Sequence, residues 1–90
     1  MAFEGMDVDQ VSNAGQQLKH QAEQINTVIN TINGLVSHLG QVWHGKDATD
    51  FEGWWNSQHR PALVAAAQAI EGLGQSALNN AEAQRTTSQS

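Results

Sequence analysis

The sequence contains no cysteine, no tyrosine and one proline, and only four of its side chains are Lys or Arg. Without cysteine there can be no disulfide, no thiolate zinc site and no cysteine nucleophile. The four basic residues are outnumbered by nine acidic ones, and the resulting net charge of -5 disfavours binding to phosphate backbones. At 90 residues the chain has room for one hydrophobic core, so we expect a single small domain that does not bind nucleic acid.

Long apolar runs are also missing. Residues 24–45 carry no charged side chain, but their Asn, Gln, Thr, Ser and His residues are too numerous for a membrane span. The start of the chain, residues 1–7, is acidic and interrupted, whereas a secretory signal begins with positive charge and continues into an apolar run. The sequence therefore predicts neither a membrane-spanning helix nor a cleaved leader.

A heptad pattern predicts a first helix over about residues 7–43. Asp7 and Gln10 are suited to cap its start. Apolar or small residues then recur in alternating steps of four and three: Val11, Gly15, Leu18, Ala22, Ile25, Ile29, Ile32, Val36, Leu39 and Trp43. Beside them lies a second row spaced by seven: Val28, Leu35 and Val42. The helix therefore needs more than one neighbouring helix.

The pattern predicts a turn over residues 43–46, in which Gly45 takes a left-handed conformation, and a second helix over about residues 47–83 capped by Asp47. The apolar stripe of this helix consists of Ala48, Phe51, Trp55, Ala62, Ala69 and Leu73, with Leu63, Ala66, Ile70 and Ala77 beside it. Pro61 predicts a kink or short break in the second helix, because it lacks the backbone N–H that a helix interior uses.

The two broad apolar faces predict an all-α fold, an antiparallel helix-turn-helix hairpin that forms a four-helix bundle on dimerisation. Residues 1–6 are expected to be an N-terminal arm, and residues 84–90 a disordered polar tail. The residues expected in the hairpin core and dimer interface are Leu18, Ile25, Val28, Ile29, Ile32, Leu35, Val36, Leu39, Val42, Phe51, Trp54, Trp55, Leu63, Ile70 and Leu73.

The adjacent indoles of Trp54 and Trp55 point about 100° apart on a helix and cannot both face one partner. One interpretation places one of them in the core and the other in the dimer interface. The alternative takes Trp54, with Phe3 and the uncharged helix faces, as a surface for a membrane or a third protein. The missing Lys/Arg-rich face weakens the membrane version.

No catalytic, cofactor or metal site is predicted. The four histidines, His20, His38, His44 and His59, form no helical pair at metal-ligand spacing. The carboxylates of Asp47, Asp50 and Glu52 crowd a helix start, where capping and the helix dipole account for them. No combination of nucleophile, base and orienting group can be assembled, so the sequence predicts a protein that is not an enzyme and needs no cofactor.

The tripeptide Trp43-His44-Gly45 lies at the midpoint of the chain, between the two heptad segments. The sequence resembles the WXG family of type VII secretion substrates, relatives of the early secreted antigenic target of mycobacteria. The resemblance rests on this turn, on the flanking heptad segments, on the length of the chain and on its lack of a leader. The resemblance runs from Asp7 to about Ala83. It implies helical hairpins that dimerise, with Trp43, His44 and Gly45 forming the WxG turn.

The resemblance further implies a small protein that is cytoplasmic before export and is then secreted without a cleaved signal peptide. Export would be driven by the ATPase apparatus of a type VII system in Gram-positive bacteria, as a folded dimer with itself or with a paralogous WXG-like chain. The protein would act through protein–protein interaction, as an effector or co-secreted partner, in virulence or competition. A membrane-active pore-forming effector and an intracellular helical adaptor for a larger secreted protein are the alternatives.

One feature departs from the family pattern. Family substrates commonly carry a Tyr-x-x-x-Asp/Glu signal after the second helix, whereas this chain has no tyrosine and residues 81–85 contain no aromatic substitute. A partner chain could supply the signal, the apparatus could tolerate its absence, or the protein could leave by another route.

Overall fold

The computed structural model describes residues 5–89, and these contain helices and no strand. Helix α1 spans Val8–Val42, helix α2 spans Lys46–Trp54, a π-helical turn spans Trp55–His59, and helix α3 spans Arg60–Gln89. The prediction of an all-α helix-turn-helix hairpin is confirmed. Residues 1–4 of the expected N-terminal arm, which include Phe3, and Ser90 of the expected tail lie outside the described residues.

Helix α1 begins with the cap that the sequence indicates. The backbone N–H of Gln10 donates to Asp7 Oδ1 at 3.1 Å, and the side-chain amide of Gln10 donates to Asp7 Oδ2 at 2.9 Å. Asp7 therefore satisfies one of the backbone donors that every helix start leaves unpaired. Many residues between Asn26 and Gly40 are weak helix formers, so packing must stabilise the rest of α1.

The chain divides into two compact units. The first combines the segment up to Ala22 with the segment from Gln68 onward, and within it Gly15 of α1 and Gly74 of α3 bring the two backbones into contact. A Cβ atom built on Gly74 would lie 2.7 Å from the carbonyl oxygen of Gly15. Ala81, at 0% exposure, is also buried in this unit. Small side chains thus allow a close helix approach.

The second unit, Glu23–Ala67, has a core of large side chains. Ile29, Val36 and Trp55 are buried, and four half-buried residues pack against them: Ile25, Ile32, Leu63 and Val64. The indole Nε1–H of Trp55 donates to Asn33 Oδ1 at 2.6 Å. The polar group of the buried indole is therefore paired, as burial requires.

The π-helical turn lies directly before Pro61 and takes the place of the expected kink or break. At its end the backbone N–H of Arg60 donates to the carbonyl oxygen of Trp55, five residues back, where an α-helix would use Asn56. In a regular α-helix the ring of Pro61 would clash with the carbonyl of Ser57. The wider turn keeps the chain helical through this position.

The extra residue in the π-helical turn changes which side of the following helix is buried, and here the sequence prediction is wrong. Ala62, Ala69 and Leu73, expected in one stripe with Trp55, are exposed. The neighbouring positions form the inner face of α3 instead: Leu63, Ala67, Ile70, Gly74 and Ala81, all buried or half-buried. A one-residue insertion rotates the pattern by about 100°, which accounts for the shift.

The C-terminal segment also differs from the prediction, because α3 continues to Gln89 where a disordered tail was expected from residue 84. The side chain of Arg85 lies 3.6 Å from the carboxylate of Asp9 and 3.8 Å from that of Glu82. With Ala81 buried one turn earlier, the contact with Asp9 connects this part of α3 to the start of α1 within the first unit. Exposed ion pairs of this kind contribute little to the free energy of unfolding.

Candidate interaction surface

The Trp43-His44-Gly45 turn joins α1 to α2. Gly45 occupies the position before the first residue of α2 with φ 114° and ψ -177°, and its carbonyl oxygen accepts hydrogen bonds from the backbone N–H and the hydroxyl of Thr49, both at 3.1 Å. The positive φ is the one predicted for Gly45, but ψ is extended instead of left-handed helical, and this combination is essentially restricted to glycine. Asp47 lies in the first turn of α2 and is not its cap, so that prediction is wrong.

Trp43 packs along the turn. Its ring centroid lies 5.6 Å from that of Phe51 with the planes tilted by 54°, and both side chains remain 38% exposed. Its backbone N–H donates to the carbonyl oxygen of Leu39 at 2.8 Å, while the adjacent His44 is exposed. The aromatic pair connects the turn to α2, and more than a third of its surface stays available for contact with another molecule.

Replacing Gly45 with alanine tests the backbone requirement. A Cβ atom there would meet nothing within 4 Å, so any cost must come from the backbone conformation. We expect Gly45→Ala to lower the free energy of unfolding by about 1–2 kcal/mol, the conformational strain being partly offset by the stiffer unfolded chain. Urea denaturation at fixed protein concentration measures it.

Gly34→Ala is the matched control, because Gly34 is helical and its Cβ would also meet open space. This variant should be more stable by up to about 1 kcal/mol, since alanine is the better helix former. Equal stability of Gly45→Ala and the wild type would show that the turn relaxes freely and that its conformation is not required.

An exposed apolar surface lies on one side of the second unit. Val28, Leu35 and Val42 share one face of α1 because they are seven residues apart, and Leu35 is 58% exposed. Trp54 of α2 is 54% exposed, while the adjacent Trp55 is buried. We call these four residues, Val28, Leu35, Val42 and Trp54, the apolar flank.

The geometry of the opposite side shows that α1 and α2 both contribute to the apolar flank. A Cβ built on Gly40 would lie 3.9 Å from Glu52 Oε2, and both residues are exposed, so they meet at one rim of the contact between the two helices and not at its buried centre. Val42 follows Gly40 by two residues and Trp54 follows Glu52 by two residues. Two residues correspond to a rotation of about 200° in an α-helix, which places both apolar side chains on the other side.

The apolar flank is also uncharged over most of its length. Three of its four residues lie within residues 24–45, which contain no Asp, Glu, Lys or Arg. Contiguous apolar surfaces with so little charge are uncommon on soluble monomers and mark sites of contact with other proteins. The arrangement suits an apolar helix face better than a charged ligand.

The predicted core and interface residues separate into three groups by burial. Ile29, Val36 and Trp55 are buried, and Leu18, Ile25, Ile32, Leu39, Leu63 and Ile70 are half-buried. The exposed ones are Val28, Leu35, Val42, Phe51, Trp54 and Leu73. That this last group forms a dimer interface stays a prediction.

Sequence reasoning missed Asn33, the acceptor for Trp55, and the buried small residues of α3. A signal for the small residues was present, because Ala67, Gly74 and Ala81 are spaced by seven. A similar row in α1, Gly15, Ala22, Ile29 and Val36, is buried throughout. Asn33 carried no comparable signal, since it is one of several asparagines in a polar segment.

Among residues 5–89, no group of three or more His, Asp or Glu side chains is arranged to hold a metal ion. None of the helices described there combines the length and hydropathy that crossing a membrane requires.

Comparison with known protein families gives a match over most of the chain. The family model WXG100, described as proteins of 100 residues with WXG, matches residues 5–89. No curated protein and no solved structure matches the chain. The match covers both helical segments and the Trp43-His44-Gly45 turn.

Proposed function

Because the chain belongs to the WXG100 family, we propose that it is a type VII secretion substrate that is exported as a folded dimer and acts through protein–protein contacts. Family membership itself indicates type VII secretion, and WXG100 proteins are small helical secreted proteins and not enzymes. Our proposal goes beyond family membership in two respects: the protein forms a dimer, and it acts as an effector or a co-secreted partner.

The apolar flank is the observation that supports dimerisation. Four large apolar side chains are more than half exposed on one side of the second unit, and burying each in an association would contribute on the order of 1 kcal/mol or more. An uncharged partner face is needed there, because a charge facing these side chains would lose water without gaining a counterion. A second WXG-like hairpin, either another copy of this chain or a paralogous one, offers such a face.

A charge placed on the apolar flank should therefore break the dimer. We expect Leu35→Glu to weaken association at least about tenfold, because a carboxylate in an apolar contact must be desolvated. Ser37→Glu is the matched control, since Ser37 is exposed on the same helix but points about 160° away. Sedimentation equilibrium at micromolar concentration, on the chain alone and mixed with a co-encoded WXG-like chain, measures both.

Two results would contradict this proposal. One is a wild-type chain that stays monomeric in both samples. The other is a loss of association that is equal for Leu35→Glu and Ser37→Glu, which would place the contact elsewhere on the molecule.

Export is tested in the producing bacterium. The protein should accumulate in the culture supernatant of the parent strain and stay in the cells of a strain lacking the secretion ATPase. Because the sequence contains no tyrosine, we expect export to require a partner chain that carries the Tyr-x-x-x-Asp/Glu signal, and deleting the partner's gene should retain this chain in the cytoplasm. Retention in every strain would favour the intracellular adaptor.

A further inference from the structure

Helix α3 carries two apolar stripes that are offset by one residue. Within the second unit the inner stripe is represented by Leu63 and Ala67, of which Ala67 is only 2% exposed, and the outer stripe by the exposed Ala62 and Ala66. Further along α3 the outer stripe continues through Ala69 and Leu73, which are exposed as well. Both stripes are apolar enough to pack on a neighbouring helix, so hydrophobicity alone does not decide which one is buried.

A regular α-helix would bury the outer stripe. Ala62, Ala66, Ala69 and Leu73 follow Trp55 at whole-turn spacing, so without the π-helical turn they would lie on the face of the helix that Trp55 occupies. The position of Trp55 is fixed by the Ile29 and Val36 contacts and by its hydrogen bond to Asn33. The additional residue in the π-helical turn is what rotates Leu63 and Ala67 inward instead.

Pro61 makes the regular helix unfavourable. It has no N–H to donate, and in an α-helix its ring would press against the carbonyl of Ser57. The π-helical turn immediately before it, closed by the Arg60 N–H to Trp55 carbonyl bond, accommodates the proline without ending the helix. The proline and the turn therefore select the same register of α3.

We propose that Pro61 fixes the register of α3, so that in the second unit Leu63 and Ala67 are turned inward and Ala62 and Ala66 stay on the surface. Pro61 is a positioning residue in this role. The control of register does not depend on the proposed function.

The absence of cysteine allows a direct test with single thiols. Ala66→Cys and Ala67→Cys place a thiol on the outer and inner stripe, and their reaction rates with a maleimide are compared in the full chain. With Pro61 present, the thiol at position 66 should react at least about tenfold faster, because the buried one reacts only through local opening. In the Pro61→Ala background this ratio should fall at least about threefold, as the regular helix becomes available.

Deleting Ser57 provides the rescue. Ser57 is exposed within the π-helical turn, and its hydroxyl donates to the carbonyl of Gly53, one turn earlier. Combined with Pro61→Ala, the deletion removes the additional residue of the π-helical turn. A regular helix then turns the native inner stripe towards the core, so the ratio of the two reaction rates should return to the wild-type value. The same deletion with Pro61 retained forces the proline into an α-helix and should leave the chain less helical by circular dichroism.

A rate ratio that is unchanged by Pro61→Ala would overturn the proposal. So would a Ser57 deletion that fails to restore the wild-type rate ratio in the Pro61→Ala background. Ala62→Cys and Leu63→Cys form a second outer and inner pair, should a thiol at position 67 disturb packing. The rates are measured below the concentration at which the chain associates, so a monomeric wild type would refute the proposed dimer without affecting this result.

Discussion

Trp55→Ala is expected to lower the free energy of unfolding by about 3–5 kcal/mol, a large share of the ~5–15 kcal/mol that stabilises a typical domain. The indole is 7% exposed and forms the core of the second unit with Ile29 and Val36. Truncation leaves a cavity and removes the hydrogen bond to Asn33 at 2.6 Å. Urea unfolding at fixed protein concentration measures the loss, because unfolding and association are linked.

The adjacent Trp54 supplies the matched control. It has the same side chain one residue earlier, but it is half exposed and lies in the apolar flank. In the monomer, Trp54→Ala should change the free energy of unfolding by no more than about 0.5 kcal/mol, while association is weakened. Equal destabilisation by the two substitutions would mean that both indoles belong to one core and that the apolar flank is assigned wrongly.

The two tryptophans show where sequence reasoning stops. The apolar spacing of each segment predicts both helices, and the glycine between the segments predicts the turn, because apolar spacing in an uninterrupted helix maps directly onto one face. It cannot decide between adjacent indoles, because that depends on how α2 is rotated. The rotation is set by core contacts with Ile29 and Val36 and by an asparagine amide, which no local pattern indicates.

The error in α3 has a single physical cause. The buried row of α1 keeps its seven-residue spacing throughout, and Ala67, Gly74 and Ala81 keep it in α3. Counting across Pro61 as if the helix were regular assigns the wrong stripe, because the π-helical turn inserts one residue into the count. A proline inside an apolar pattern is therefore compatible with two sets of buried positions in the helix that follows it, and these sets are offset by one residue.

The candidate surface was only partly predictable for the same reason. Val28, Leu35 and Val42 are apolar residues beside the seam of one regular helix, so the sequence alone indicates that a lone hairpin exposes them. Their combination with Trp54 needs the relative rotation of α1 and α2, which follows from the approach of Gly40 and Glu52 at the opposite rim. The partly exposed Trp43 and Phe51 pair likewise depends on the backbone of Gly45.

The close approach of α1 and α3 in the first unit leads to the second large effect, for Gly74→Val. A Cβ on Gly74 would lie 2.7 Å from the Gly15 carbonyl oxygen and 3.1 Å from the Lys19 backbone nitrogen. Neither atom can move without shifting helix α1, and valine adds two further methyl groups. We expect the free energy of unfolding to fall by about 3 kcal/mol through overpacking. Urea denaturation, with far-UV circular dichroism as the probe, measures it.

Gly72→Val separates this steric effect from helix propensity. Gly72 lies two residues earlier in the same helix, and its Cβ would meet nothing within 4 Å. Glycine and valine differ little in helix propensity, so this variant should stay within about 0.5 kcal/mol of the wild type. If Gly74→Val were equally benign, the helices of the first unit would have to separate at no cost. The Lys19 Nζ to Gln75 Oε1 hydrogen bond of 2.8 Å and the fully buried Ala81 argue against such looseness, because both depend on the same close approach.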